Sequence, residues 1–160
     1  MLSGDTIVAQ STPYGYGGLG VIRLSGKDSL KILKRITKDK KQLTPRLAEK
    51  LTVYAKNEPV DEVVAIYYQN PKSFTGEEMI EISCHGSPYV IETVINACIQ
   101  NGARAAGPGE FTKRAYVNGK IDLIQAESIA NMIAASSKAG LNNAMYGLKG
   151  KLSKSAKDVS

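Results

Sequence analysis

Apolar and polar positions alternate over Asp5–Ser11, with β-branched Thr6, Ile7 and Val8, so the pattern opens on a strand. Thr12–Gly18 interrupts it with Pro13, Gly15, Gly17 and Gly18, residues that punctuate regular structure. Leu19–Leu24 reads as a second strand. Ser25-Gly26-Lys27-Asp28 has the spacing of a capping box, which predicts Ser25 as N-cap and Asp28 at the third helical position. The following helix places Leu30, Leu33, Ile36 and Ile32 on one face and lysines on the other. It ends near the Lys38–Lys41 run.

Leu51–Ala55 and Val60–Tyr68 predict two strands joined by a turn at Asn57-Glu58-Pro59. Val63–Tyr68 is almost continuously apolar, as a central strand requires. Asn70–Gly76 reads as a loop. Met79–Cys84 alternates Ile80, Ile82 and Cys84 against Met79, Glu81 and Ser83, so one face is oily and the other carries a carboxylate. Ser87-Pro88 opens a helix with proline at its first position. Val90, Ile91, Val94, Ile95 and Cys98 form its stripe, and Asn101-Gly102 closes it. Ala103–Ala106 is a short strand. Pro108-Gly109-Glu110 opens a short helix, closed at Asn118-Gly119. Asp122 and Gln125 repeat the capping-box spacing ahead of an apolar stripe at Ala126, Ile129, Ala130, Ile133 and Ala134. Residues 136–160 are rich in Ser, Ala, Gly, Asn and Lys. They read as weakly helical, an element whose packing partner lies outside the chain.

The fold class is therefore α+β, a mixed β-sheet with packed helices followed by a helical segment. The 160 residues, 42% of them apolar, suffice for one core plus an appendage. No stretch approaches the ~18 consecutive apolar residues of a membrane span, and no signal peptide is visible at the start. Two cysteines, Cys84 and Cys98, make no disulfide framework, which suits a reducing, cytoplasmic setting. The single histidine, His85, cannot build a multi-histidine metal site.

Charge adds one feature. The net +6 equals the excess of residues 27–50, which hold nine basic and three acidic side chains. Such a lysine-rich helix and loop reads first as a solvated face. It contains no aromatic residue to support a nucleic-acid stripe.

The candidate chemistry is sparse. Gly15-Tyr16-Gly17-Gly18-Leu19-Gly20 satisfies G-x-G-x-x-G, but it leads into a strand, whereas dinucleotide binding needs it to open a helix. No G-x-x-x-x-G-K-[ST] occurs, so no phosphate-binding P-loop is present in the sequence. Cys84 and His85 are adjacent at a strand end and point to opposite sides, so both read as structural. Glu81 lies mid-strand between Ile80 and Ile82. Composition alone makes it solvated; the alternative is a carboxylate aimed into a pocket. Arg23, in an apolar strand, poses the same question, and Lys120 sits at a helix junction.

Three ordered blocks sharpen this picture. They are Asp5–Ala9 with Gly17–Gly26; Ser73-Phe74-Thr75-Gly76-Glu77-Glu78 with Glu81 and Cys84-His85-Gly86; and Pro108–Ala115 with Asn118–Leu123 and Gln125-Ala126-Glu127. Together they resemble the opening of the MnmE (TrmE) family of tRNA modification GTPases. Tyr16 stands where many relatives have arginine, and Tyr14 where proline is common.

The resemblance implies a folate-binding and dimerisation domain over residues 1–119, similar to the tetrahydrofolate-binding domain of glycine-cleavage T-protein. Residues 120–160 would then begin a helical domain. It implies a 5-formyl- or 5,10-methylene-tetrahydrofolate cofactor, matched to Arg23, Glu81 and Lys120, and a homodimer formed through this domain. GTP, magnesium and potassium would belong to a GTPase domain outside the chain. The whole enzyme would act with the FAD-dependent MnmG (GidA) on the wobble uridine of tRNA, supplying a one-carbon unit from the folate. No catalytic or metal-ligating residue is expected within this chain. The alternatives are a stand-alone folate-dependent one-carbon transferase and a basic nucleic-acid-binding module using residues 27–50.

Overall fold

The computed structural model describes residues 4–150. Within that range the chain forms two compact units, divided between Pro108 and Gly109. The boundary expected from sequence falls after the short helix at 110–117; the compact units part before it. Residues 151–160 of the expected helical segment lie outside the described residues.

The first unit is built on β1 (Thr6–Gln10), β2 (Gly20–Ser25), α1 (Ser29–Thr37), β3 (Glu49–Ala55), β4 (Glu58–Tyr68), β5 (Met79–Cys84), α2 (Pro88–Gln100) and β6 (Ala103–Ala105). The six strands make one mixed sheet in the order β3-β4-β5-β2-β1-β6. All neighbours are antiparallel except β1 and β6. Alternation along the strands separates the two faces. Val8, Ile22, Leu24, Ala65, Ile80, Ile82 and Cys84 join Ile32, Leu33 and Ile36 of α1 and Ile91, Val94 and Cys98 of α2 in one buried core. The residues between them, including Arg23 and Glu81, belong to the other face.

Two local expectations shift. Ser25 does not cap α1. It ends β2, and its hydroxyl is engaged by Thr75 and donates to Glu77 Oε2, both at 2.7 Å. The helix begins after Asp28, whose side chain makes no cap. Instead Thr6 Oγ1 accepts the Asp28 amide at 3.0 Å, so a neighbouring strand supplies the capping oxygen. The β3–β4 turn lies at Lys56-Asn57, both at positive φ, as a two-residue hairpin requires. Pro59 falls inside β4 instead, opposite the register shift at Val53/Tyr54. A residue with no N–H to donate is accommodated where the ladder is already broken.

The second unit holds α3 (Glu110–Val117), α4 (Leu123–Ala134) and α5 (Lys138–Leu148). The capping box of α4 is complete: Asp122 Oδ1 accepts the Gln125 amide at 2.8 Å, and Gln125 Oε1 accepts the Asp122 amide at 3.0 Å. Asp122→Ala is expected to cost about 1 kcal/mol, read as lower helicity and earlier melting of this unit by circular dichroism. The expected apolar stripe of α4 is not its buried face, since Ile133 is 82% exposed. α4 meets α5 through Ser128, Ala144 and Gly147, all buried. A Cβ at Gly147 would lie 2.1 Å from Ser128 Oγ. Small side chains here allow the two backbones to approach closely. Among the described residues no helix is long and apolar enough to cross a membrane.

Candidate functional site

β2 and β5 are adjacent and antiparallel, and their register sets Arg23 directly opposite Glu81. Their flanking residues Ile22, Leu24, Ile80 and Ile82 are fully buried, so period-two alternation turns Arg23 and Glu81 onto the opposite sheet face. There Arg23 donates through Nη2 to Glu81 Oε1 at 2.9 Å, with side-chain exposures of 26% and 25%. The pair is half-sheltered. It is neither a solvated surface contact nor a sealed core pair.

Aromatic residues border it. The Phe74 ring centre lies 5.4 Å from the Arg23 guanidinium carbon, within cation–π range. Phe74 is carried by the 69–78 loop, which side chains tie down on both sides. Buried Thr75 meets Ser25 of β2 at 2.7 Å, and Ser73 Oγ donates to the Glu77 carbonyl at 2.5 Å. Glu78 accepts from the Asn70 amide at 2.9 Å and from the Tyr67 hydroxyl. Ser73-Phe74-Thr75-Gly76-Glu77-Glu78 is thus a clamped loop that holds one aromatic ring over the ion pair. Tyr68, at the end of β4, feels the same charges. Burial first, then Glu81's charge and a hydrogen bond to it, raise its phenol above the ordinary 10.0, while Arg23 and Arg46 pull the other way.

A second constellation joins β4 to the end of β5. The Asp61 carboxylate accepts the His85 amide at 2.9 Å and meets His85 Nδ1 at 2.7 Å. The imidazole remains 75% exposed, while Asp61 is 10% exposed. Next to it, Gly86 lies against the glycine-rich loop. Its carbonyl accepts the Gly17 amide at 2.9 Å, and a Cβ on Gly86 would stand 2.4 Å from the Gly17 carbonyl oxygen. The loop leads into β2, a strand, as its sequence context predicts.

Cys84 and His85 form no dyad. Cys84 Sγ turns to the Gly20 carbonyl at 3.5 Å. Burial, with Asp61's charge second, pushes its thiol up to about 11, and burial pushes Cys98 up to about 12. Tyr67 likewise rises to about 12 through burial and its bond to Glu78. Each folded-state value lies above the ordinary one, so the native chain retains protons that an unfolded chain releases. This contribution to stability is complete below about pH 9 and declines as pH rises through about 11 to 12. The urea midpoint should fall over that window. The fall should be shallower in Cys98→Ala, even though its baseline is lowered by lost packing.

Lys120 belongs to the second unit. Its amide donates to the Ala115 carbonyl at 2.8 Å, closing α3, and its side chain lines a cleft of about 570 Å³ with Tyr116, Val117, Gly119, Ile121, Asp122 and Gln125. Of the three residues the sequence singles out, the structure brings Arg23 and Glu81 together and sets Lys120 at a helix end. Phe74, Tyr68 and Asp61 are additions from the structure. Phase relative to Glu81 along the sheet could have suggested Tyr68. Nothing local signals the pairing of Asp61 with His85. Among the described residues no group of three or more His, Cys, Asp or Glu could hold a metal.

The chemistry of the pair is specific. A carboxylate has about four lone-pair positions, and Arg23 occupies one oxygen of Glu81. Tyr68 also bonds to the carboxylate, and positions beyond these two contacts can accept N–H donors of a ligand in a charge-assisted contact. Phe74 and Tyr68 offer ring surface beside it.

Residues 6–120 match the family described as the GTP-binding protein TrmE N-terminus. The chain is 46% identical over 148 residues to the tRNA modification GTPase MnmE of Thermotoga petrophila, covering 92% of this chain and 33% of that protein. It is 45% identical over 154 residues to the protein of the same name from Francisella philomiragia, covering 96% and 34%. The counterpart from Francisella tularensis subsp. novicida is 47% identical over 154 residues. The chain thus spans about a third of the length of the curated relatives it matches.

Proposed function

The chain belongs to the family of the GTP-binding protein TrmE N-terminus, and from that membership we propose that it is the folate-binding, dimerising front part of a tRNA modification GTPase. The observation that carries this reading is the half-sheltered Arg23–Glu81 pair, 2.9 Å apart, two residues for which the family resemblance implies folate binding. Phe74 stands over its cation.

In this reading Glu81 accepts the amino group and the adjacent ring N–H of the pterin. Arg23 holds the Glu81 carboxylate in place through its hydrogen bond, and Phe74 and Tyr68 exclude water from the ring faces. Lys120 is proposed as an anion partner for the carboxylates of the glutamyl tail. The cofactor in this reading is a 5-formyl- or 5,10-methylene-tetrahydrofolate. When bound, that group supplies a one-carbon unit. GTP hydrolysis, with its magnesium and potassium, is proposed for the longer protein outside this chain. So are the partnership with FAD-dependent MnmG and the modification of the tRNA wobble uridine. A cytoplasmic location accords with these roles.

Isothermal titration of the purified chain with 5-formyltetrahydrofolate tests the reading. One saturable site per chain is expected, with a dimer by sedimentation. A flat titration of folded protein overturns the folate assignment.

A further inference from the structure

The outer side of α1 forms an open groove of about 820 Å³, floored by Leu30 and edged by Lys27, Lys31, Lys34, Arg35 and Lys38. Lys31, Lys34, Arg35 and Lys38 follow one another at helical i, i+3 and i, i+4 spacing. Like charges so placed repel and weaken a helix. Among the described residues, Lys27, Lys31, Lys34 and Lys40 make no ion pair with the protein. Of the two carboxylates at the groove, Glu78 accepts from Asn70 and Tyr67, and Asp39 accepts the Lys41 amide at 2.7 Å. The groove lining thus sets six cations against two carboxylates, a net positive surface. The fold also supplies what the linear segment lacks. Tyr54 of β3 comes beside α1, with the Lys38 ammonium 4.5 Å from its ring centre. Cations interleaved with an aromatic ring are the pattern of a nucleic-acid contact. α1 is about 14 Å long at 1.5 Å per residue, enough to meet successive phosphates of one strand.

We propose that this α1 groove docks the phosphate backbone of tRNA. The proposal rests on the reading of the longer protein as a tRNA-modifying enzyme, and it assigns a second surface, separate from the Arg23–Glu81 pair. The contacts are to phosphate, so they position the RNA without reading its sequence.

The test is fluorescence anisotropy of labelled bulk tRNA with the full chain at 50 and 200 mM KCl. Neutralising about four phosphates predicts an affinity loss of roughly 50- to 150-fold between these salt concentrations. The triple charge reversal Lys31→Glu, Lys34→Glu, Lys38→Glu should weaken binding at least about tenfold and flatten the salt slope. The triple glutamine variant, which removes the charges without reversing them, should weaken it less. Both should retain native circular dichroism and bind 5-formyltetrahydrofolate as the unaltered chain does. Unchanged tRNA affinity in the folded variants overturns the proposal. So does absence of tRNA binding at 50 mM KCl, or binding only to phosphatidylserine vesicles. Folate titration of the same samples separates this failure from failure of the folate site.

Discussion

Glu81→Ala should lose affinity for 5-formyltetrahydrofolate by about 100-fold or more while the chain stays folded. Two charge-assisted hydrogen bonds at ~1.5–3 kcal/mol each disappear, and every ~1.4 kcal/mol is tenfold. Arg23 would also lose the carboxylate it meets at 2.9 Å, leaving an uncompensated cation where the pterin edge should lie. Glu81→Gln keeps one acceptor oxygen but gives up the charge and presents an amide donor to the ligand's donors, so it should fall close to the alanine variant. Neither change should cost much stability. A partly exposed ion pair contributes only ~0–1 kcal/mol, a melting shift of a few degrees in a chain of this size. Isothermal titration and thermal melting of the same samples read both effects. Unchanged affinity in Glu81→Ala would remove this residue from the site.

Ile82→Ala, one position along the same strand, should do the reverse. Ile82 is fully buried on the helix-facing side of β5, pairing with Ile22 of β2 and Ala65 of β4. Truncation removes apolar contacts and leaves a cavity in the sheet–helix core, at a cost of about 2–5 kcal/mol. A natural domain has only ~5–15 kcal/mol in hand, so the urea midpoint should drop substantially. Folate affinity should be largely kept wherever the variant is folded, because Glu81 projects from the other face. A loss below ~1 kcal/mol would mean that this position is not in the core.

The contrast between adjacent residues shows what the linear chain discloses. Alternation over Met79–Cys84 already separates Ile80 and Ile82 from Glu81, because strand periodicity is local. What Glu81 meets is not local. Arg23 is 58 positions away, and only the β2–β5 register sets them opposite. Composition alone makes Glu81 solvated; the strand pairing makes it half-sheltered. Phe74 stands in a quoted motif, yet its place over Arg23 depends on the side chains that clamp its loop. Ser25 misleads for the same reason. Its capping-box spacing is correct, but Thr75 and Glu77 claim its hydroxyl from a distant segment. Asp122, whose partner is only three residues away, caps as its sequence predicts. In α4 the largest apolar residues are not the buried ones, because close approach to α5 selects Ser128 and Gly147 instead.

In the proposed site Glu81, steadied by Arg23, receives the pterin. A crystal structure of the chain with 5-formyltetrahydrofolate tests it most directly. Two pterin nitrogens are expected within about 3.2 Å of the Glu81 carboxylate, with Phe74 against the ring system. A pterin bound elsewhere, with the Arg23–Glu81 pair untouched, would contradict it.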